Sequence, residues 1–246
     1  MPPKQSQENA GTSRASVNPS VGRGGVYVVS VPIGHPDDLT LRALAILKSV
    51  DLIASEDPQL TQQLLVHHRI STTVTSYGPV HVKEKVAVLL QRVRQGARIA
   101  LVADRGSPLI VDPGARLVAG AHAQGIPVIP IPGPSAGVAA LTVAGFPGES
   151  FYFLGQLPST GPHLTRRLVG ALKREVPTVA YGTRVTAKRA FQTLVRLAPR
   201  RLVVAACDMT KPNEVIIRGT ARQVSGRLCN LQGEEITIVV SGRKRR

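Results

Sequence analysis

Residues 102–135 read VADRGSPLIVDPGARLVAGAHAQGIPVIPIPGPS, and this stretch decides the fold class of the chain. Two apolar runs each lead into a turn rich in Gly and Pro, one at residues 104–108 and the other at residues 130–135. Between the turns, residues 112–124 carry apolar side chains at helical spacing, and Gly125 supplies a helix stop. A strand-helix-strand unit implies parallel strands, so we expect both turns to open at the sheet edge where ligands bind.

The rest of the chain continues the alternation of strands and helices. Residues 26–31 form a β-branched run typical of a strand buried on both faces, and residues 51–55 predict a second strand. Residues 82–95 carry apolar side chains at i, i+3, i+4 and i+7, which predicts an amphipathic helix. After residue 150, five further runs predict strands, with two helical stretches among them. The pattern indicates the α/β class.

The domain organisation follows from shifts in composition. Residues 1–23 are small and polar and cannot bury enough apolar surface to order themselves, so we expect a disordered arm. We place the change of domain within residues 132–148, which divides the remainder into α/β domains at residues 24–134 and 135–242. Residues 243–246 form a basic tail that is either simply solvated or in contact with phosphates.

Several classes of protein are excluded by composition. No apolar run approaches the roughly 20 residues that span a bilayer, and the first 23 residues lack the apolar region of a signal peptide. Cys207 and Cys229 are too few for a disulfide framework or a zinc site, so we expect buried, inert thiols. His67 and His68 have no third ligand at a recognised spacing, so no metal site is predicted. We expect a cytoplasmic protein that does not contact a membrane.

The charge is high and uneven. The formal net charge is +16, of which residues 1–134 carry +4 and residues 135–246 carry +12. A polyanionic partner such as nucleic acid is one interpretation, and a generally Arg-rich, solvated surface is the other. Because aromatic residues make up only 3% of the chain, we expect phosphate contacts and shape recognition rather than base stacking.

The turn after the first strand, residues 32–38, is not a dinucleotide fingerprint. Its prolines remove N–H donors and leave carbonyl oxygens in excess, which suits a cationic or polarised ligand better than a phosphate. We expect Asp37 or Asp38 to cap the helix that begins at about Leu39 or Thr40.

Five segments carry a resemblance to a known family. They are VPIGHPDDLTLRAL at residues 31–44, DLIASED at 51–57, DRGSPLIVDPG at 104–114, IPGPSA at 131–136 and FLGQLP at 153–158. The chain resembles the tetrapyrrole methylase superfamily from about residue 25 to residue 242. Within it, the 16S ribosomal RNA (cytidine-2′-O)-methyltransferase I family is the most similar.

The resemblance implies a two-domain α/β fold with a mainly parallel sheet in the first domain and a mixed sheet in the second. It also implies a homodimer, with S-adenosylmethionine bound between a cofactor-binding first domain and a substrate-side second domain. Carried over residue by residue, the lining of the cofactor site would be Pro32, Gly34, Asp104, Gly106, Ser107, Pro108, Ile110, Ser135, Ala136 and Tyr181.

The chemistry of three residues is open to more than one interpretation. Asp104 is either a carboxylate near the sulfonium or a turn former before Gly106. Asp57 is either a proton acceptor or the cap of the helix that follows it. Lys211 is a neutralised base, a cation that steadies an alkoxide or a phosphate, or else a plain surface charge.

The leading hypothesis is an S-adenosylmethionine-dependent methyltransferase that acts on a ribose 2′-hydroxyl of small-subunit ribosomal RNA. Its partner would be the RNA itself or the small ribosomal subunit. One alternative is a methylase of corrin or porphyrin precursors. The other is a diverged RNA-binding protein without methyl transfer, because the motifs of the second half match the family less closely.

Overall fold

The computed structural model describes residues 24–78, 81–111, 114–159, 161–228 and 233–243. The predicted arm at residues 1–23, Cys229 and the last three residues of the basic tail lie outside the described residues. No helix in the described ranges is both long enough and apolar enough to cross a bilayer.

A five-stranded sheet forms the first half of the chain. Its strands are β1 (Gly25–Val29), β2 (Leu52–Ser55), β3 (Val74–Ser76), β4 (Arg98–Val102) and β5 (Val128–Ile131). They lie in the order β3-β2-β4-β1-β5, and every neighbouring pair is parallel. The predicted parallel sheet is therefore confirmed, and the turns after β4 and β5 do open at one edge, on either side of β1.

Helices cover both faces of this sheet, which explains its continuous apolar strands. They are α1 (Leu41–Ser49), α2 (Pro58–His67), α3 (Val82–Arg94) and α4 (Ala115–Ala123). Buried residues of α1 and α2 pack on one face, and those of α3 and α4 pack on the other.

A second five-stranded sheet follows. Its strands are β6 (Tyr152–Gln156), β7 (Thr178–Thr183), β8 (Leu202–Cys207), β9 (Val215–Thr220) and β10 (Glu235–Val240). The order is β6-β7-β10-β8-β9, with β6 and β7 parallel and the other pairs antiparallel, which confirms the mixed sheet.

Four more helices pack on this second sheet, in two separate cores. They are α5 (Ala136–Ala144), α6 (Gly161–Lys173), α7 (Arg184–Leu197) and α8 (Ala221–Leu228). The last three share one core on one face of the sheet. Helix α5 packs on strands β7, β8 and β10 in a second core that also contains Ile33 from the turn after β1. The two halves therefore share apolar contacts beside that turn.

Some local details differ from the sequence predictions. Helix α1 begins at Leu41 and is capped by Thr40, whose hydroxyl accepts a hydrogen bond from the Ala43 N–H. Asp37 and Asp38 instead belong to a short 3-10 turn, because Pro36 favours a tight turn at that point. Helix α8 was not predicted, since its eight residues are too few to show a clear apolar period.

Candidate active site

The site is built on three turns at the carboxyl edge of the first sheet. The turn after β4 pairs with the turn after β1 through two backbone hydrogen bonds, from the Val31 N–H to the Gly106 carbonyl (2.9 Å) and from the Gly106 N–H to the Pro32 carbonyl (3.3 Å). Gly106 has a φ of +68°, which a residue with a Cβ rarely adopts. The glycine thus allows the two turns to lie side by side.

Ser107 joins these turns to the one after β5. Its hydroxyl donates to the Pro134 carbonyl (3.2 Å) and lies 2.9 Å from the hydroxyl of Ser30, a buried residue at the end of β1. Ser107 was predicted from the sequence, whereas Ser30 was not. A lone Ser at the end of an apolar strand carries no local sign that it will meet a residue 77 positions away.

The second half faces these turns with β7 and the start of β10. The Tyr181 hydroxyl accepts a hydrogen bond from the Gly137 N–H (3.0 Å), and its ring contacts Phe153 edge to face at a centroid distance of 4.9 Å. Ser135 occupies the N-cap position of α5, but its side chain makes no capping hydrogen bond. Tyr181 is therefore oriented by contacts with both α5 and β6.

Between the two halves lies a cavity of about 520 Å³, which we call the cleft. Seven of the ten residues predicted to bind the cofactor line it: Asp104, Gly106, Ser107, Ile110, Ser135, Ala136 and Tyr181. Pro32 and Gly34 instead line a neighbouring cavity of about 360 Å³, together with Lys211. Pro108 is buried, and neither it nor Asp57 lines either cavity.

The charged residues that line the cleft are mostly acidic. Four carboxylates face it, from Glu56, Asp104, Glu234 and Glu235. Arg105, the basic residue of the lining, forms an ion pair with Glu235 and so joins the turn after β4 to the first residue of β10. The cleft consequently favours a ligand that carries positive charge.

The two candidate catalytic residues both have hydrogen-bond or ion-pair partners within the protein. One carboxylate oxygen of Asp57 caps α2 by accepting the N–H groups of Gln59 (2.9 Å) and Leu60 (3.3 Å). The Asp57 N–H donates to the Asp104 carboxylate (2.9 Å), which ties the end of β2 to the turn after β4. Lys211 bonds to Glu235 at 2.9 Å and to Asp208 at 3.4 Å. Asp57 thus caps its helix, and Lys211 is ion-paired.

Asp208 is a structural residue that sequence analysis did not identify. Its side chain is buried and accepts hydrogen bonds from Asn213 (2.7 Å), Lys211 (3.4 Å) and the N–H groups of Glu234 (3.3 Å) and Glu235 (3.2 Å). This carboxylate therefore holds the loop after β8 against the start of β10, where the cleft is lined. Burial, with a smaller effect from Asp208, raises the pKa of the adjacent Cys207 thiol to about 11.

Left-handed backbone conformations occur in the two loops that border the cavities. Leu109 (φ 70°) and Val111 (φ 64°) lie in the loop after β4, and Asp208 (φ 45°) and Thr210 (φ 64°) lie in the loop after β8. Such conformations persist in non-glycine residues only where surrounding contacts impose them, and they concentrate at functional sites. Contacts with the surrounding structure therefore hold both loops in these conformations, which also occur away from the cavities at Arg69 and His81.

A histidine pair outside the cleft fastens the 3-10 turn. The Asp37 carboxylate lies 2.9 Å from the His67 ring, and the His68 ring lies 2.9 Å from the Pro36 carbonyl. The hydrogen bond with His67 lowers the pKa of Asp37. Tertiary structure thus brings a carboxylate within 4.8 Å of both rings, which spacing in the sequence could not reveal.

Comparison with known proteins places the chain in a family. A family model described as Tetrapyrrole (Corrin/Porphyrin) Methylases matches residues 25–225. A Thermotoga maritima protein named Ribosomal RNA small subunit methyltransferase I is 36% identical over 228 residues, covering 90% of this chain and all of that protein. A Vibrio cholerae protein of the same name is 38% identical over 192 residues, covering 78% of this chain and 67% of its own length.

Solved structures share the fold at lower identity. Uroporphyrin-III-C-methyltransferase from Thermus thermophilus aligns with a TM-score of 0.65 at 21% identity, covering 89% of this chain and 94% of its own. A cobalt precorrin-4 methyltransferase aligns with a TM-score of 0.67 at 17% identity, covering 92% of this chain and 98% of its own. With the family model matching most of the chain, this protein belongs to the tetrapyrrole (corrin/porphyrin) methylase family.

Proposed function

We propose that this protein is an S-adenosylmethionine-dependent methyltransferase that methylates a ribose 2′-hydroxyl of small-subunit ribosomal RNA. The observation that carries the proposal is an acid-lined cleft, formed by both halves of the chain, in a protein 36% identical to one named Ribosomal RNA small subunit methyltransferase I. The solved structures support the fold alone. The alternative of a corrin or porphyrin substrate is therefore kept only as an outcome of the test.

The residues of the cleft fit the cofactor. A volume of about 520 Å³ lies within the range of roughly 300–1,000 Å³ that is usual for small-molecule sites. S-adenosylmethionine, when bound, supplies a methyl group on a positively charged sulfur. Asp104, Glu56 and Glu234 place negative charge on the lining, and Ser107 and Tyr181 add hydroxyl groups. These residues would hold the cofactor.

The rest of the chemistry is positioning and proton removal. Methyl transfer to a hydroxyl is an in-line displacement. Most of the rate increase therefore comes from holding the methyl group and the hydroxyl oxygen at near-attack distance. Lys211 lies beside the cleft and carries a positive charge that would steady an alkoxide or a phosphate. Asp57 as a proton acceptor stays a prediction, because one of its oxygens already caps α2.

Transfer of labelled methyl groups to RNA tests the function. We expect label from S-adenosylmethionine to enter unmethylated small-subunit RNA, presented either free or in assembled subunits. The label should persist in an alkali-resistant dinucleotide, since alkaline cleavage of RNA needs a free 2′-hydroxyl. Absence of label from both substrates would contradict the proposal, and turnover of a precorrin-type substrate instead would support the corrin alternative. Tight RNA association without cofactor binding would support the non-enzymatic alternative.

The charge of Asp104 should matter for cofactor binding. We expect Asp104→Asn to weaken binding of S-adenosylmethionine roughly 10–100-fold in calorimetric titration, since a hydrogen bond to a charged group contributes about 1.5–3 kcal/mol. Asparagine keeps an oxygen that can accept the Asp57 N–H, so it removes the charge but not this contact. Asp104→Ala removes both. If affinity for S-adenosylmethionine falls only in the alanine variant, Asp104 acts as a turn former. Asp38→Asn serves as the control, because it removes an exposed carboxylate outside the cleft.

Two further properties belong to the proposal. The protein acts in the cytoplasm, where small ribosomal subunits are assembled, and it acts as a homodimer. Helix α5 supports the dimer, because its Val138 and Val143 side chains are about half exposed, and Leu41 on α1 is 85% exposed. Sedimentation equilibrium should give twice the mass of one chain. A monomer at micromolar concentration would contradict this part of the proposal alone.

A further inference from the structure

The helices on one face of the second sheet form a uniformly basic layer. Three Lys or Arg residues lie on α6, four lie on α7 and two lie on α8, and none of the three helices contains Asp or Glu. All nine side chains are exposed, while most apolar residues of the helices pack on the sheet in one core. Much of the +12 charge of the second half is thus presented on a single face.

One groove in this layer adjoins the cleft. It is lined by the first half of α7, including Arg184, Lys188 and Arg189, and we call it the α7 groove. Thr183 and Glu234 line both the α7 groove and the cleft. A polymer lying in the groove would therefore continue directly into the cleft.

The cations of the α7 groove differ in how they are held. Arg184 and Lys188 lie four positions apart and share one side of α7. In the described part of the chain, neither side chain forms an ion pair or a hydrogen bond. Arg189 donates to the Ser159 carbonyl at 2.7 Å, which fixes its position. Glu234 is the acidic residue of the lining, so the groove keeps a net positive charge.

We propose that the α7 groove binds backbone phosphates of the RNA strand whose reacting ribose enters the cleft. The inference rests on the proposed function. Arginine and lysine are the usual phosphate ligands, and such contacts set the register of a strand without reading its sequence. An anionic membrane is the less suitable partner, because most apolar residues of the layer pack on the sheet. Val185 and Leu197 are the exposed large apolar side chains among the described residues of the three helices, too few to form an apolar face that enters a membrane.

A pair of charge-matched double variants tests the proposal. Arg184→Ala/Lys188→Ala removes two cations of the α7 groove, and Arg222→Ala/Arg227→Ala removes two from α8, which lies outside it. Binding of deproteinised small-subunit RNA is measured between about 50 and 200 mM salt. We expect the groove variant to bind roughly tenfold more weakly, with the log-log salt slope reduced by about 1 per lost phosphate contact. The α8 variant should lose less than half as much RNA affinity, measured as a free energy of binding. Both variants should bind S-adenosylmethionine as tightly as the parent protein.

Each outcome decides the question. Equal losses of RNA affinity in the two variants would indicate diffuse electrostatic attraction and would contradict phosphate binding in the α7 groove. The proposal would also be wrong if the groove variant bound RNA as tightly as the parent protein. Loss of binding to phosphatidylglycerol vesicles, with RNA binding unchanged, would assign the groove to a membrane instead. Failure of the proposed function looks different, because the parent protein itself would then fail to methylate the RNA, whether or not it binds it.

Discussion

Gly34→Ala should lower methyl transfer to small-subunit RNA by about 10²-fold, because it pushes the two halves of the molecule apart. A Cβ at this position would lie 2.4 Å from the Met209 carbonyl oxygen and 2.6 Å from the Thr210 hydroxyl. The carbonyl belongs to backbone that cannot rotate away. A displacement of about 1 Å at a reacting centre is enough for a loss of this size.

A neighbouring hydrogen bond explains why a displacement at Gly34 should also alter the cleft. The His35 N–H donates to the Thr210 hydroxyl at 2.8 Å, so the turn after β1 is fastened to the loop after β8 at this point. Lys211, next in that loop, bonds to Glu235 in the lining of the cleft. Separation at Gly34 would therefore shift Lys211 and the start of β10 together.

A matched glycine provides the control. Gly170 lies inside α6, and a Cβ added there would meet no atom within 4 Å outside the backbone of its own helix. We expect Gly170→Ala to keep full activity and to raise the free energy of unfolding by about 0.5–1 kcal/mol, because alanine is the better helix former. Activity is measured as initial rates of methyl transfer at saturating cofactor. Parent activity in Gly34→Ala would show that close approach of the halves is not needed.

Asp208→Ala should lower the free energy of unfolding by about 3 kcal/mol and weaken cofactor binding. Removing one partner of a buried, hydrogen-bonded charge leaves the others without compensation, which typically costs about 3–5 kcal/mol. We expect a cost at the lower end of this range, because Lys211 keeps its ion pair with Glu235 when Asp208 is removed. Without the carboxylate, the N–H groups of Glu234 and Glu235 lose their acceptor, and the lining of the cleft loses its alignment.

An exposed carboxylate of the same loop is the comparison. Glu214 accepts the Thr210 N–H at 2.7 Å, and its side chain is exposed. We expect Glu214→Ala to change stability by no more than about 1 kcal/mol, since solvent replaces the lost contact. Denaturant unfolding followed by circular dichroism gives both values, and calorimetric titration gives the cofactor affinity. Equal destabilisation by the two variants would contradict the structural role of the buried carboxylate.

Much of the cleft was predictable from the turns of the first half. Asp104, Gly106, Ser107 and Ser135 stand in Gly-rich and Pro-rich segments that follow apolar strands, and all four line the cavity. The assignment of residues 24–134 and 135–242 to separate domains stays a prediction, although the strands of the two sheets lie on opposite sides of this division.

The residues that the sequence did not reveal share one property. Ser30, Asp208 and Glu235 each contact partners distant in the chain, and Asp208 also accepts hydrogen bonds within its own loop. Lys211 was identified by resemblance, but its ion pairs with Asp208 and Glu235 became visible only in the folded chain.

The sequence by itself determined the α/β class, the parallel first sheet and the turns that end its strands. Apolar periodicity, Gly and Pro act on neighbouring residues, so their effects can be predicted locally. Only the tertiary structure decided how the second half closes the cleft and which cations face it. The contact of His35 with Thr210 spans 175 positions, and packing of one half on the other selects such pairs by shape and charge rather than by local pattern.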